Sequence, residues 1–203
     1  MFTGLIRECA EVLFYKDNIL SLKAKYCPNI GDSVSVNGAC LTVVEVNGGS
    51  FKAELSHESR KILAAENFKG FVHIEPAMML GSRIEGHLLQ GHIDACGEIV
   101  KIEKDENAMD FFIKAPKEIM KFLSPKGSVA IDGVSLTVGE ITGDIFKLTI
   151  IPHTFSQTVF NTYKIRRRVN IETDMIARYL FNFMQIGKKA PTWSDIDRIT
   201  AIY

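Results

Sequence analysis

No stretch of this chain is long and apolar enough to cross a bilayer as a helix. The start, Met1-Phe2-Thr3-Gly4-Leu5-Ile6, lacks a basic region followed by a long apolar one, which predicts no secretory signal peptide. Neither sign of charge is in excess, with 24 lysines and arginines against 24 aspartates and glutamates. No overall field therefore draws the chain to nucleic acid or to a membrane surface. The one basic run, Lys164-Ile165-Arg166-Arg167-Arg168, precedes an apolar strand and reads as a solvated turn rather than a phosphate patch. Four cysteines, Cys9, Cys27, Cys40 and Cys96, form no CxxC pair and no disulfide framework. Free thiols in a reducing cytosol, and hence a cytoplasmic protein, are expected. Walker loop, GxGxxG, HExxH and GxSxG are all missing, which argues against a nucleotide enzyme, a zincin or a classical hydrolase.

What the chain does contain is one pattern stated twice. Asn37-Gly38-Ala39-Cys40-Leu41-Thr42-Val43 returns as Asp132-Gly133-Val134-Ser135-Leu136-Thr137-Val138, 95 positions later. Thr3-Gly4-Leu5-Ile6 answers Gln90-Gly91-His92-Ile93, and Leu55-Ser56-His57 answers Ile151-Pro152-His153. Val72-His73-Ile74-Glu75 answers Val169-Asn170-Ile171-Glu172. Such ordered self-similarity means two copies of one domain related by an approximate two-fold, with two similar pockets. The first copy spans residues 1–85, the second 86–172, and a single terminal segment 173–203.

Within each copy the segments are short, β-branched or aromatic, and bounded by turn residues. Ser33–Val36 and Phe146–Ile150 alternate at period two, and Asn47-Gly48-Gly49 and Thr142-Gly143-Asp144 are turns at matching places. A small antiparallel barrel in each half is predicted. Short helices are expected at His57–Leu63 and at Pro116–Phe122, with Pro116 in the first turn. Met175, Ile176, Tyr179, Leu180, Phe183 and Met184 recur at helical spacing up to Gly187. That apolar helix either packs on its own barrels or bundles with copies from other chains. Thr192–Ile199 reads as a second short capped helix.

Strand parity separates chemistry from core. Cys40 and Thr42 share one strand face, and Leu41 and Val43 the other; Ser135 and Thr137 likewise oppose Leu136 and Val138. The aliphatic face belongs inside. The polar pairs are then either a solvated outer face or pocket linings covered by something else, and an unpaired thiol such as Cys40 is a residue type most often buried. In Gly86–Cys96, His87 and His92 project to opposite faces of an extended chain, so no zinc site is expected. His92 reads equally as a structural histidine or as a general acid/base. Asp174 opens the terminal helix as a cap, and Lys126 reads as an exposed turn residue.

These residues resemble riboflavin synthase over nearly the whole chain. The resemblance rests on Met1-Phe2-Thr3-Gly4, Val36–Val43, Gly86-His87 with Gly91-His92, Ile131–Val138, Ile151-Pro152-His153-Thr154 and Val169–Glu172, in that order. It implies an all-β fold of two six-stranded Greek-key barrels with a C-terminal helix that gathers three chains into a homotrimer. It implies dismutation of two 6,7-dimethyl-8-ribityllumazines to riboflavin and 5-amino-6-(D-ribitylamino)uracil, without metal or redox cofactor, and an association with lumazine synthase stays open. The reactive site would form between the first barrel of one chain and the second of a neighbour. By resemblance, Phe2, Thr3, Gly4, Leu5, Ile6, Cys40, Leu41, Thr42, Glu54, Leu55, Ser56, His57, Glu58 and Ser59 serve the first-barrel pocket. Gly91, His92, Ile93, Lys126, Ser135, Leu136, Thr137, Ile150, Ile151, Pro152, His153, Thr154 and Phe155 serve the second. His92 and Ser135 are candidates for activating the lumazine C7 methyl, Cys40 and Thr42 for supporting the acceptor, and Thr137 and Asp174 for assisting. Gln90, where a small serine is frequent, and His57 depart from the family wording. The alternative is a lumazine-binding fluorescent protein without turnover, which would tend to lose the polar residues of one or both pockets. A nucleic-acid-binding pair of barrels would want basic grooves with interleaved aromatics, which the charge balance does not supply.

Overall fold

In a computed structural model that describes residues 1–186, each half closes into a six-stranded antiparallel barrel. The first barrel comprises β1 (Glu8–Lys16), β2 (Ile19–Lys23), β3 (Ser33–Val36), β4 (Ala39–Asn47), β5 (Ser50–Glu54) and β6 (Phe71–Pro76). The second comprises β7 (Ala95–Asp105), β8 (Ala108–Lys114), β9 (Ser128–Ile131), β10 (Val134–Thr142), β11 (Ile145–Ile150) and β12 (Arg168–Thr173). The strand cycles, β1-β2-β5-β4-β3-β6 and β7-β8-β11-β10-β9-β12, are the same. Register breaks recur at equivalent places as well, at Val12/Phe14 and Ile99/Lys101, and at Val43/Glu45 and Val138/Ile141. Bulges there bend the strands enough for six of them to close.

Period-two patterning builds the cores. Leu41 and Val43 point inward with Leu20, Leu22, Phe51 and Ile74, while Thr42 faces out. Val138 joins Phe111, Phe146, Leu148 and Ile171 in the second barrel, while Thr137 faces out. Among the described residues four α-helices connect or follow the strands: α1 (His57–Ile62), α2 (Lys117–Met120), α3 (Pro152–Gln157) and α4 (Met175–Ile186). Pro116 precedes α2 as its cap instead of lying in its first turn, whereas Pro152 opens α3, a helix that the strand-like pattern hides. Ser56 caps α1 and Ile151 caps α3, and the buried Leu55 and Ile150 directly precede those caps. The duplication is therefore offset by one residue here: Leu55 matches Ile150, and His57 matches Pro152 rather than His153. Gly187 and the segment Thr192–Ile199 lie outside the described residues. Among the described residues no helix is long and apolar enough to cross a membrane.

The barrels meet across their pseudo-two-fold axis, where equivalent residues touch each other. Phe2 and Leu89 exchange both backbone hydrogen bonds, 2.8 and 3.0 Å. A Cβ on Gly38 would fall 2.8 Å from Gly133 N, and one on Gly133 2.8 Å from Gly38 N. Both glycines have positive φ, +84° and +83°, and no other residue fits so close a backbone approach.

Flanking the axis, buried side chains reach from each barrel into the other. Asn170 donates through Nδ2 to Asn37 O and accepts at Oδ1 from Ala64 N, both 2.8 Å. Its counterpart His73 sits 2.8 Å from Asp132 O through Nδ1 and accepts at Nε2 from Val159 N at 2.9 Å. Those partners fix the tautomer, because a carbonyl requires Nδ1–H and an amide requires a bare Nε2. Burial lowers the His73 pKa to about 4. Beside it, burial pushes the Asp132 carboxyl up to about 6, although the Tyr163 hydroxyl and Asn170 N donate to it.

A histidine depressed in the folded state adds stability that is complete above its unfolded value of 6.5 and is lost as pH falls through about 4. Asp132 titrates with the opposite sign between 3.8 and about 6, so a bare acid melt mixes the two. Glutamine can donate and accept as Asn170 does. His73→Gln is expected to remain folded and to narrow its stability difference from wild type by roughly 2–3 kcal/mol between pH 7 and pH 4. Urea midpoints at both pH values check this. A difference that stays constant with pH would contradict the lowering of the His73 pKa by burial.

Candidate functional site

The outer faces of β4 and β10 carry two sets of candidate residues in like arrangement, the first and second groove of the proposed site. In the first, half-buried Cys40 and exposed Thr42 stand on β4, and Thr42 pairs across to Glu54 at the end of β5. Ser56 follows, accepting at Oγ from Ser59 N at 3.1 Å to start α1. The side chains of His57 and Glu58 lie outside the described part of the structure. In the second groove, half-buried Ser135 and exposed Thr137 stand on β10, beside exposed Lys126 and the turn Ile151–Phe155 that opens α3.

The segments that complete the grooves are exchanged between the halves. Gly4 O accepts from Ser135 N at 2.9 Å, and Gly91 O accepts from Cys40 N at 2.9 Å. Ile6 packs on the second core and Ile93 on the first. The expected grouping is corrected accordingly: Thr3, Gly4, Leu5 and Ile6 belong with the second-barrel groove, and Gly91, His92 and Ile93 with the first. Strand pairing explains the crossing, since each segment leaves its own barrel just before that barrel's first strand and runs over the axis. Buried carboxylates anchor both crossings. Glu75 accepts from Thr3 N, Thr3 Oγ1 and Gly4 N at 2.8, 2.8 and 3.0 Å, and Glu172 accepts from Gln90 N and Gly91 N at 2.7 and 3.0 Å. Burial outweighs those donors and raises both carboxyls, Glu172 to about 7.

The regrouping separates His92 from Ser135 within one chain. Ser135 has a different histidine: its Oγ lies 2.7 Å from Nδ1 of His87. His87 is buried, and its Nε2 has no hydrogen-bond partner among the described residues. Burial lowers its pKa, and the nearby Asp174 carboxylate opposes that shift. Asp174 also caps α4, accepting at Oδ1 from Ile176 N at 2.8 Å. The second groove thus carries Ser135, His87, Asp174 and Thr137, and the first carries Cys40, Thr42 and His92. Sequence reasoning misses His87 because its role depends on Gly86, where a Cβ would lie 2.1 Å from Thr3 O and 2.8 Å from Ser135 Cβ. The Gly86-His87 pair is the signal that could have found it.

Phe2, Leu41, Leu55 and Ile150 are buried and support the grooves from behind. Leu5, His92, Ile151, Pro152 and His153 are exposed at the rims, with Leu136, Thr154 and Phe155 half-buried. A cavity of about 810 Å³ shares Thr3 and Leu5 with the segment that crosses to the second barrel and is lined further by Arg7, Tyr26, Arg83 and Glu85 among others.

A family model described as the lumazine binding domain matches residues 3–76 and 90–174. The chain is similar to riboflavin synthase of Photobacterium phosphoreum, 43% identical over 169 residues, covering 82% of this chain and 78% of that protein. It is similar to riboflavin synthase of Bacillus subtilis, 36% identical over 208 residues, covering 98% of this chain and 96% of that protein. Among solved structures, LumP complexed with riboflavin matches with a TM-score of 0.76 at 22% identity, over 85% of this chain and 99% of that one.

Proposed function

The chain belongs to the riboflavin synthase family, with a lumazine binding domain in each half, and we propose that its working site pairs the Cys40 groove of one subunit with the Ser135 groove of the next. It is a transferase that converts two 6,7-dimethyl-8-ribityllumazines into riboflavin and 5-amino-6-(D-ribitylamino)uracil by moving a four-carbon unit. The observation that carries the paired-site reading is the pair of equivalent strand faces, each bearing hydroxyl or thiol groups and crossed by a segment from the other half. Two identical substrates call for two similar holders, and residues as exposed as Thr42 and Thr137 need a facing surface to exclude water.

The assembly we propose is a homotrimer held through α4. Ile176, Tyr179, Leu180, Phe183 and Met184 form one stripe of that helix and are between 49% and 70% exposed. Burying such a stripe against copies of itself supplies the missing cover.

In the second groove, His87 stays neutral because charging a buried imidazole is unfavourable. A neutral imidazole can take the Ser135 proton, leaving the hydroxyl oxygen to draw a proton from the C7 methyl of one lumazine. The carbanion is delocalised into the ring. In the first groove, Cys40, or a water held by Cys40 and Thr42, adds to the ring of the other lumazine, and His92 handles the accompanying proton. Face-to-face stacking of the two rings lowers the entropic barrier.

Incubation of the purified protein with 6,7-dimethyl-8-ribityllumazine alone is expected to yield riboflavin in half the molar amount of substrate consumed. Tight binding without product would replace the enzyme by a binding protein of the LumP kind. The presence of polar residues in both grooves favours turnover.

A further inference from the structure

We propose that Arg178 is a positioning residue for the reaction: its guanidinium clamps the two ends of the loop that presents His92. The proposal rests on the reading of the Cys40 groove as a substrate pocket.

Residues 90–94 form that loop, with exposed His92 at its centre. Its backbone is fastened to β12, where Glu172 takes Gln90 N and Gly91 N and Asp94 N donates to Ile171 O at 2.9 Å. Asp94 Oδ2 accepts in turn from Thr173 N and Thr173 Oγ1, both at 2.7 Å. Arg178, in the first turns of α4, closes the arrangement. Its Nη1 donates to Asp94 Oδ1 and its Nη2 donates to Gln90 Oε1 at 2.9 Å. The Arg178 and Asp94 side chains are each only 16% exposed, so solvent screens their attraction little. A planar fork with two separate acceptors fixes the loop more narrowly than a point charge would.

The sister copy isolates the purpose of the clamp. Residues 3–7 have the same backbone anchoring, through Glu75, yet Arg7 replaces Asp94 and Leu5 replaces His92. Among the described residues no side chain bridges the two ends of that loop. The clamp therefore accompanies the histidine and is not a requirement of the barrel. It also explains Gln90, whose amide supplies an acceptor that a serine in its place could not extend so far. Since Arg178 grows from α4, the helix proposed to bind subunits together, assembly sets the helix and the helix sets His92.

The test uses Arg178→Met in the full chain, with 6,7-dimethyl-8-ribityllumazine as substrate. The expected result is unchanged sedimentation, kcat lower by about tenfold or more, and KM altered by less than about twofold. A loss confined to kcat is one that a general loss of structure would not produce. Arg178→Lys, able to reach Asp94 without the fork, should recover part of kcat. Unchanged kcat, or a loss that tracks dissociation of the assembly, would overturn the proposal. If Arg178→Met is insoluble, Gln90→Ala and Asp94→Asn take its place in the same measurements, and the same results support or overturn the clamp. His92→Gln separates the layers: if it lowers turnover and Arg178→Met does not, the clamp is wrong and the pocket stands. If neither variant lowers turnover, the pocket reading itself falls.

Discussion

Gly91→Ala is expected to cut riboflavin formation by about a hundredfold while lowering the melting temperature by only a few degrees. Gly91 has φ +76°, a conformation that an alanine adopts only under strain. Its added methyl would lie 2.6 Å from Cys40 Cβ and 2.8 Å from Cys40 N, where backbone and side chain both block it. Relief requires the Gly91-His92 segment to lift off β4, breaking the hydrogen bond from Cys40 N to Gly91 O. Cys40 and His92 then separate, and misplacement of reacting groups by an ångström is enough for a loss of this size. The barrels keep their cores, so the thermal cost is confined to a bond and some strain. Gly48→Ala is the control: a methyl there meets nothing within 4 Å, and neither activity nor melting should change. Turnover near wild type in Gly91→Ala would mean that the Cys40 groove takes no part in the reaction.

The second large effect is a recovery. His92→Gln disables the first-barrel groove and Ser135→Ala the second, so each variant alone should have little activity. Mixed oligomers, made by co-expression of differently tagged chains, should be far more active than either parent. In such a mixture an intact first groove from a Ser135→Ala chain can face an intact second groove from a His92→Gln chain. If both grooves of a working site came from one chain, every site would contain a lesion and mixing would restore nothing. Turnover per doubly tagged oligomer, set against the two parents, decides between these geometries.

The barrels are legible in the sequence because a two-residue period is a direct statement of which side chains face inward. Leu41 and Val43, or Leu148 and Phe146, are buried as that period requires. The terminal helix announces itself by its apolar repeat, and Asp174 as its cap by position. The site is legible only in part. Cys40, Thr42, Ser135 and Thr137 stand on strands, so parity places them on the outer faces. Gly4 and Gly91 lie on segments outside any strand, and no local pattern says that each crosses to the opposite barrel. The pairing of His87 with Ser135 depends on contacts 48 positions apart in the chain, and Gln90 with Arg178 on contacts 88 apart. Local periodicity carries no information at that range. The helix that Pro152 opens goes unread for a related reason: its six residues are too few to show a helical repeat, although proline fits the first turn of a helix.

A junction at which Gly38 meets Gly133 and Phe2 meets Leu89 uses one surface on both sides, so it is its own complement. A single barrel bearing that patch could pair with an identical copy of itself, needing no second gene. Once the two are joined in one polypeptide, each side becomes free to drift provided the donors and acceptors still balance. His73 opposite Asn170, and Asn37 opposite Asp132, are places where that freedom has been used. They turn a symmetric seam into a chemically lopsided one, so that neither half could now stand in for the other.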